Sequence, residues 1–243
     1  VTAARGELAG CAGGKFDHTP GAMRLHACLV PCACLAAALV ACRRAPEPEE
    51  QQQQAQAPVT IAPAEPGRLL PPEQFDAITN PLDRSRAMFA EAAKVMLHPR
   101  CTNCHPAGDT PLQGDDARIH DPPVVRGPAD EGVPGLLCTS CHQDANLELA
   151  RVPGAPKWHL APIEMAWVGL TPAALCEQIK DPQRNGGKTL AQIVEHSAHD
   201  ELVAWGWEPG HGRAPAPGTQ AQFGALMAAW VADGAACPVA EGP

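Results

Sequence analysis

The chain has 243 residues; Pro (27) and Gly (22) make up about a fifth of it, Tyr is absent and aromatic residues are 4 %. That composition implies a loop-rich fold with a thin apolar core, so cofactors or cross-links are expected to help hold it together. The formal charge of −9, with no Lys/Arg-rich run, excludes nucleic acid as a partner, because phosphate binding needs clustered cations.

In chain order, residues 1–41 are expected to comprise a mis-assigned start followed by a signal peptide. Met23-Arg24-Leu25-His26 makes a better beginning than Val1, and an apolar run of about fifteen residues follows, from Ala27 to Ala41. The run is shorter than the roughly 20 residues a bilayer span needs, and a charged start before a short apolar run is the secretory pattern. A buried core helix is the alternative, disfavoured by Pro31 and the low-complexity stretch downstream. Leu39-Val40-Ala41-Cys42 resembles a bacterial lipobox, which implies a lipid on Cys42 and membrane attachment without a spanning helix. Ordinary cleavage nearby, leaving a soluble periplasmic protein, is the other reading. Residues 42–72, with Pro46, Pro48, Gln51–Gln54, Pro58, Pro63, Pro66, Pro71 and Pro72, are expected to form an extended tether. The folded domain is expected over 73–243.

A first helix is predicted from about Pro81 to Leu97, with Asn80 as N-cap and Pro81 at the first helical position. It delivers the chain to Cys101-Thr102-Asn103-Cys104-His105. From Pro106 to Pro134 the sequence is turn signals with almost no regular structure expected. Cys138-Thr139-Ser140-Cys141-His142 follows. Further helices are predicted over about 172–180, 189–204 with a break near Asp200, and 220–232, opened by Thr171, Thr189 and Thr219. The fold expected is mainly α with extensive coil.

The eleven cysteines divide by position. Cys11, Cys28, Cys32 and Cys34 precede the proposed cleavage, and Cys42 is the lipid acceptor. Four of the remaining six form C-x-x-C-H twice, the attachment signature of c-type haem. Two thiols three positions apart can reach two vinyl groups of one porphyrin, and the following histidine is then placed under the iron. A four-cysteine zinc site is the alternative, but it leaves His105 and His142 without a role. A thioredoxin-like redox motif lacks its βαβ surroundings. The expectation is two haem c groups, held by Cys101, Cys104 and His105 and by Cys138, Cys141 and His142. Cys176 and Cys237 remain as an even pair in an oxidising compartment, and a disulfide between them is predicted, with two separate buried thiols as the alternative.

Thirty-two residues separate His105 from Cys138. That is too few for a complete small cytochrome domain around each motif, so both groups are expected in one compact, multihaem-type cytochrome c domain. Sixth ligands could come from His98, His120, His159, His196, His199 or His211, or from Met88, Met96, Met165 or Met227. His120, in the loop between the motifs, and His159, in the apolar setting Trp158-His159-Leu160-Ala161-Pro162, are the favoured ligands, with His199 in reserve. Burial of an imidazole without a partner is costly, and iron would satisfy it. Met165 is expected to pack. Trp158, Trp167, Trp205 and Trp207 are expected either to cover haem faces or to fill the core.

The region from Cys101 to Pro238 resembles small bacterial dihaem proteins labelled isoquinoline 1-oxidoreductase subunits. The matching pieces are Cys104–Asp109, His120 ahead of Val125-Arg126-Gly127, Cys138–Gln143, Pro153–Pro162, Met165-Ala166-Trp167, Leu202–Trp207 and Gly234–Pro238. The resemblance implies service to a molybdenum hydroxylase as an electron-accepting partner; nothing in the chain itself points to a molybdopterin or iron–sulfur site. The function expected is therefore electron transfer by an exported, periplasmic, membrane-anchored protein whose partners are redox proteins. A dihaem peroxidase-like enzyme, or a haem-based sensor with one open iron site, is the alternative.

Overall fold

The structure is a computed structural model and describes residues 59–240. The signal region 1–41, the proposed lipid site Cys42 and the tether up to residue 58 lie outside the described residues.

Asn80 opens α1 (Pro81–Met96): its side chain accepts hydrogen bonds from the Leu82 and Asp83 amides, and Pro81 takes the first position, where no amide is needed. The helix turns Met88, Phe89, Ala92, Ala93, Val95 and Met96 inward. They meet α6 (Gln220–Ala232), which buries Phe223, Leu226, Met227 and Trp230, and the Phe89 and Trp230 ring centroids lie 4.8 Å apart. Two further helices complete the core. Thr171 caps α3 (Pro172–Lys180), and a capping box between Thr189 and Gln192 opens α4 (Leu190–His199). Asp200 breaks the helix and caps the short α5 (Glu201–Ala204). Where α4 crosses α6 the approach is close: a Cβ on Gly224 would stand 2.6 Å from that of Ala198.

Helix takes about 40 % of the described residues and strand about 5 %, so this is a mainly α fold with long coil. The stretch from Pro106 to Pro134 is less featureless than expected. It makes one antiparallel ribbon, β1 (Leu112–Gln113) with β2 (Arg118–Ile119), and begins a second, β3 (Gly132–Val133) with β4 (Leu136–Leu137). The end of the segment expected as tether joins the fold: Leu69 is buried and the Leu70 amide donates to the Glu91 carboxylate, 3.0 Å.

Cys176 of α3 is bonded to Cys237 beyond α6, across a sequence separation of 61. The same end is held by Arg84, which donates to both Asp233 carboxylate oxygens at 2.6 and 2.9 Å. Ser85, fully buried, donates to the Trp230 carbonyl. Among the described residues no helix is long and apolar enough to cross a membrane.

Candidate functional site

Both C-x-x-C-H motifs fold into one helical turn. The first lies on α2 (Pro99–Thr102), capped by the His98 ring, which accepts from the Arg100 amide. The Cys104 amide donates to the Cys101 carbonyl at 3.0 Å and the His105 amide to the same carbonyl at 3.2 Å. In the second motif the Cys141 and His142 amides both donate to the Cys138 carbonyl, at 3.2 and 2.9 Å. A turn of this kind puts residues i and i+3 on one side, so each pair of thiols shares a face.

The two histidines are held alike. His105 Nδ1 lies 2.8 Å from the Met165 carbonyl oxygen, and His142 Nδ1 lies 2.8 Å from that of Pro153. A carbonyl only accepts, so each Nδ1 carries the hydrogen and each Nε2 keeps its lone pair. Orientation of a ligating imidazole by a backbone carbonyl is a recurrent support of metal sites. Each ring also lies flat on an indole: His105 on Trp167 at 3.4 Å and 8°, His142 on Trp158 at 4.5 Å and 6°. The expected tryptophan role is thereby specified. Trp158 and Trp167 back the histidines, Trp205 meets Trp158 edge-on at 4.9 Å, and Trp207 packs on Phe223 in the core.

Segment 158–167 ties the motifs together. The Ala161 amide donates to the Cys104 carbonyl and the Trp167 amide to the His105 carbonyl, both at 3.0 Å. Buried Arg126 clips this segment to the loop between the motifs, donating to the carbonyls of Ala161 (2.8 Å) and Gly108 (3.1 Å) and pairing with Asp130. Gly154, next to Pro153, allows a further close approach: a Cβ there would stand 2.2 Å from the Ala145 carbonyl oxygen and 2.4 Å from that of Gln143.

Burial pushes the Cys101 thiol up to about 12 and the Cys104 thiol to about 11, and raises Cys138 as well. A redox or nucleophilic C-x-x-C works through a lowered thiol pKa, and Cys101, Cys104 and Cys138 are shifted the other way. Among the described residues no three Cys, His, Asp or Glu side chains are grouped as a zinc cage requires. Burial also drives His105 down to about 3, opposed by the Met165 carbonyl and aided by His196, His159 and Arg126. His142 is lowered by burial first, with His120 and Arg213 adding to it. Both rings are neutral, the form in which an imidazole can ligate a metal.

Two cavities adjoin the motifs. One, of about 730 Å³, is lined by Cys138, Cys141, His142 and His120. Its size lies within the ~300–1,000 Å³ usual for cofactor clefts. His120 donates through Nδ1 to the Pro122 carbonyl (2.8 Å), and its ring centroid is 5.9 Å from that of His142 at 67°. The other cavity, about 150 Å³, is lined by Cys101, Cys104, His105, His159 and His196. It is smaller than the ~300 Å³ at the low end of cofactor clefts, so its donor set rather than its volume suits a macrocycle.

Arg100, Cys104, His159 and Trp205 line both cavities. His159 is oriented by its own turn: Lys157, in the left-handed region at φ 57°, places its carbonyl 2.5 Å from His159 Nδ1. His199, the reserve ligand, lines neither cavity; its side chain is 69 % exposed against 43 % for His196, and it lies 3.9 Å from Glu195. His196, one turn earlier, is the α4 histidine that reaches a cavity, and its phase beside buried Ile193 and Ser197 is the sequence signal for it. Met88, Met96 and Met227 are buried in the helical core, and Met165 gives its carbonyl to His105. No family model, curated protein or solved structure matches the chain.

Proposed function

We propose that this chain is an electron-transfer protein carrying two covalently bound c-type haems. One repeated arrangement carries the reading. At two places a C-x-x-C-H turn shares a face between its thiols, hands the histidine Nδ1 to a backbone carbonyl and lays an indole on the ring. A coincidence of sequence does not provide the same second set of supports twice.

Cys101 and Cys104, and Cys138 and Cys141, would hold the groups as thioethers, with His105 and His142 as ligands. When bound, each haem supplies a one-electron ferric/ferrous couple. His120 and His142 both line the larger cavity with ring centroids 5.9 Å apart, and His159 and His196 both border the smaller. The shared wall of Cys104 and Trp205 makes the two sites neighbours, so an electron entering at one has a short route to the other. The indoles back the histidine rings, the carbonyl contacts set the tautomer that leaves Nε2 free, and burial keeps both rings neutral.

The same reading places the protein outside the cytoplasm, attached through a lipid on Cys42. There it would accept electrons from an exported dehydrogenase, with the molybdenum hydroxylase class indicated by the resemblance above. Beyond residue 41 the chain has 15 Lys/Arg against 25 Asp/Glu. So acidic a body favours a partner with a basic docking face.

The test is haem content after expression with a cytochrome c maturation system. Two haems per chain should survive acid–acetone extraction. Cys101→Ala/Cys104→Ala and Cys138→Ala/Cys141→Ala should each leave one. Stoichiometric zinc without haem would overturn the reading. Carbon monoxide bound to a ferrous haem of the unaltered protein would favour a peroxidase-like enzyme or a sensor over a relay.

A further inference from the structure

We propose that His196 is the second axial ligand of the group carried by Cys101, Cys104 and His105, and that Asp200 is its positioning residue. The inference rests on the two-haem reading.

Helix α4 carries Ile193 and Ser197 to the interior, and His196 lies beside that face. It lines the cavity that also holds Cys101, Cys104 and His105, and not the larger one. His196 Nδ1 is 3.2 Å from Asp200 Oδ2. The other carboxylate oxygen, Oδ1, accepts from the Leu202 and Val203 amides at 2.9 and 3.1 Å, capping α5. Asp200 is thus anchored at the break between two helices, with one oxygen left for the imidazole. An ionised carboxylate only accepts, so Nδ1 donates to it, and Nε2 is the ring nitrogen left to face a metal. A carboxylate behind a ligating histidine fixes the ring and makes it more basic.

His159 is the rival. Its Nδ1 is also engaged, but by a carbonyl in coil, and it borders both cavities, which places it on their common wall. His196 stands on a regular helix locked against α6 at the Ala198–Gly224 crossing. Ligands on helices hold their geometry better than ligands on loops. Each cavity then has a pair of its own, His142 with His120 and His105 with His196.

The experiment uses the full chain matured with haem, and the variants His196→Ala, His159→Ala and Asp200→Asn. Haem per chain is counted first, then carbon monoxide binding and spin state are measured. His196→Ala should keep two covalent haems, turn one high-spin and bind one carbon monoxide per chain, and added imidazole should reverse this. His159→Ala should bind none. Asp200→Asn should stay low-spin and raise one of the two potentials, because a less basic donor stabilises the ferric state less. Two low-spin haems and no carbon monoxide in His196→Ala would overturn the assignment, as would an opened site in His159→Ala. If His196→Ala does not mature, Asp200→Asn decides: unmoved potentials overturn the proposal. An unaltered chain without haem is a different result, and removes the two-haem reading itself.

Discussion

The two motifs share one local design in opposite surroundings. The first sits where α1 ends and α2 begins, against the helical core, beside a narrow cavity with apolar walls. Burial there takes two thiols to about 12 and about 11 and His105 to about 3. The second is reached through the β3–β4 ribbon and followed by coil. Cys141 is exposed, as are Leu136, Leu137, Leu147 and Leu149 nearby. Its cavity is wide and bordered by Arg118, Arg151 and Arg213. The same local supports recur at both motifs, and the surrounding fold decides how wet and how firmly held each one is.

The firmest test of this division is the disulfide. Cys176 lies between Leu175 and Ile179 on α3, and Ile179 reaches the first cavity. Closing a loop of this length contributes about 4 kcal/mol in the chain-entropy model. Replacing Cys176 and Cys237 by Ala should lower Tm by on the order of 10 °C. The first haem should become accessible to carbon monoxide, and the second should be unaffected. Equal disturbance of both haems would mean the sites are not mechanically separate.

Two glycines sharpen the comparison with a smaller effect. Gly224→Ala presses a methyl group on Ala198 at the α4–α6 crossing, and Gly154→Ala presses one on the Ala145 and Gln143 carbonyls beside Pro153. Overpacking of this kind costs ~1–3 kcal/mol. Gly224→Ala should reduce global stability and spare the second haem. Gly154→Ala should disturb a haem held at the second motif, because His142 is hydrogen-bonded to the Pro153 carbonyl, and change Tm less. Thermal melts read alongside the Soret band of single-haem variants would separate the two.

The helical half was legible because its punctuation is local. Asn80, Thr171, Thr189 and Thr219 bond amides two or three residues ahead, and Asp200 marks the break between α4 and α5. Parity alone pointed Cys176 to Cys237. The two ribbons were not legible, since strands of two residues have no periodicity to detect. They turn on conformations such as Ala117 at φ 50° and Gly135 at φ 89°. Leu69 lies among prolines that signal a tether, and only the distant Glu91 carboxylate and the core show that it folds in. The site was legible as motif and not as support: that Met165 and Pro153 would give carbonyls, or that Trp167 and Trp158 would back the rings, depends on contacts 11 to 62 residues away. The choice between His196 and His199 is a matter of helical phase, which the tertiary fold makes decisive.

The smallest effect is the most informative about function. A ferric haem carries one more positive charge than a ferrous one, and desolvation penalises charge. Burial therefore favours the ferrous state, and burial is one of the levers on haem potential. The first site is the drier, so its haem should have the higher potential. Arg100 adds to this, since its buried guanidinium lines the first cavity, although it also borders the second and is partly neutralised by Asp115 at 2.5 Å. Arg118, Arg151 and Arg213 around the second cavity act in the opposite sense, but in a wetter setting where charges are better screened. A tenfold difference between one-electron couples is about 59 mV, and a separation of that order is expected. Spectroelectrochemical titration of the native protein should resolve two steps. The single-haem variant keeping Cys101, Cys104 and His105 should titrate with the upper step, and the one keeping Cys138, Cys141 and His142 with the lower. The reverse order would mean that fixed charge outweighs burial at these sites. With the expected order an electron would enter at the open site and settle at the buried one, which would give the relay a direction.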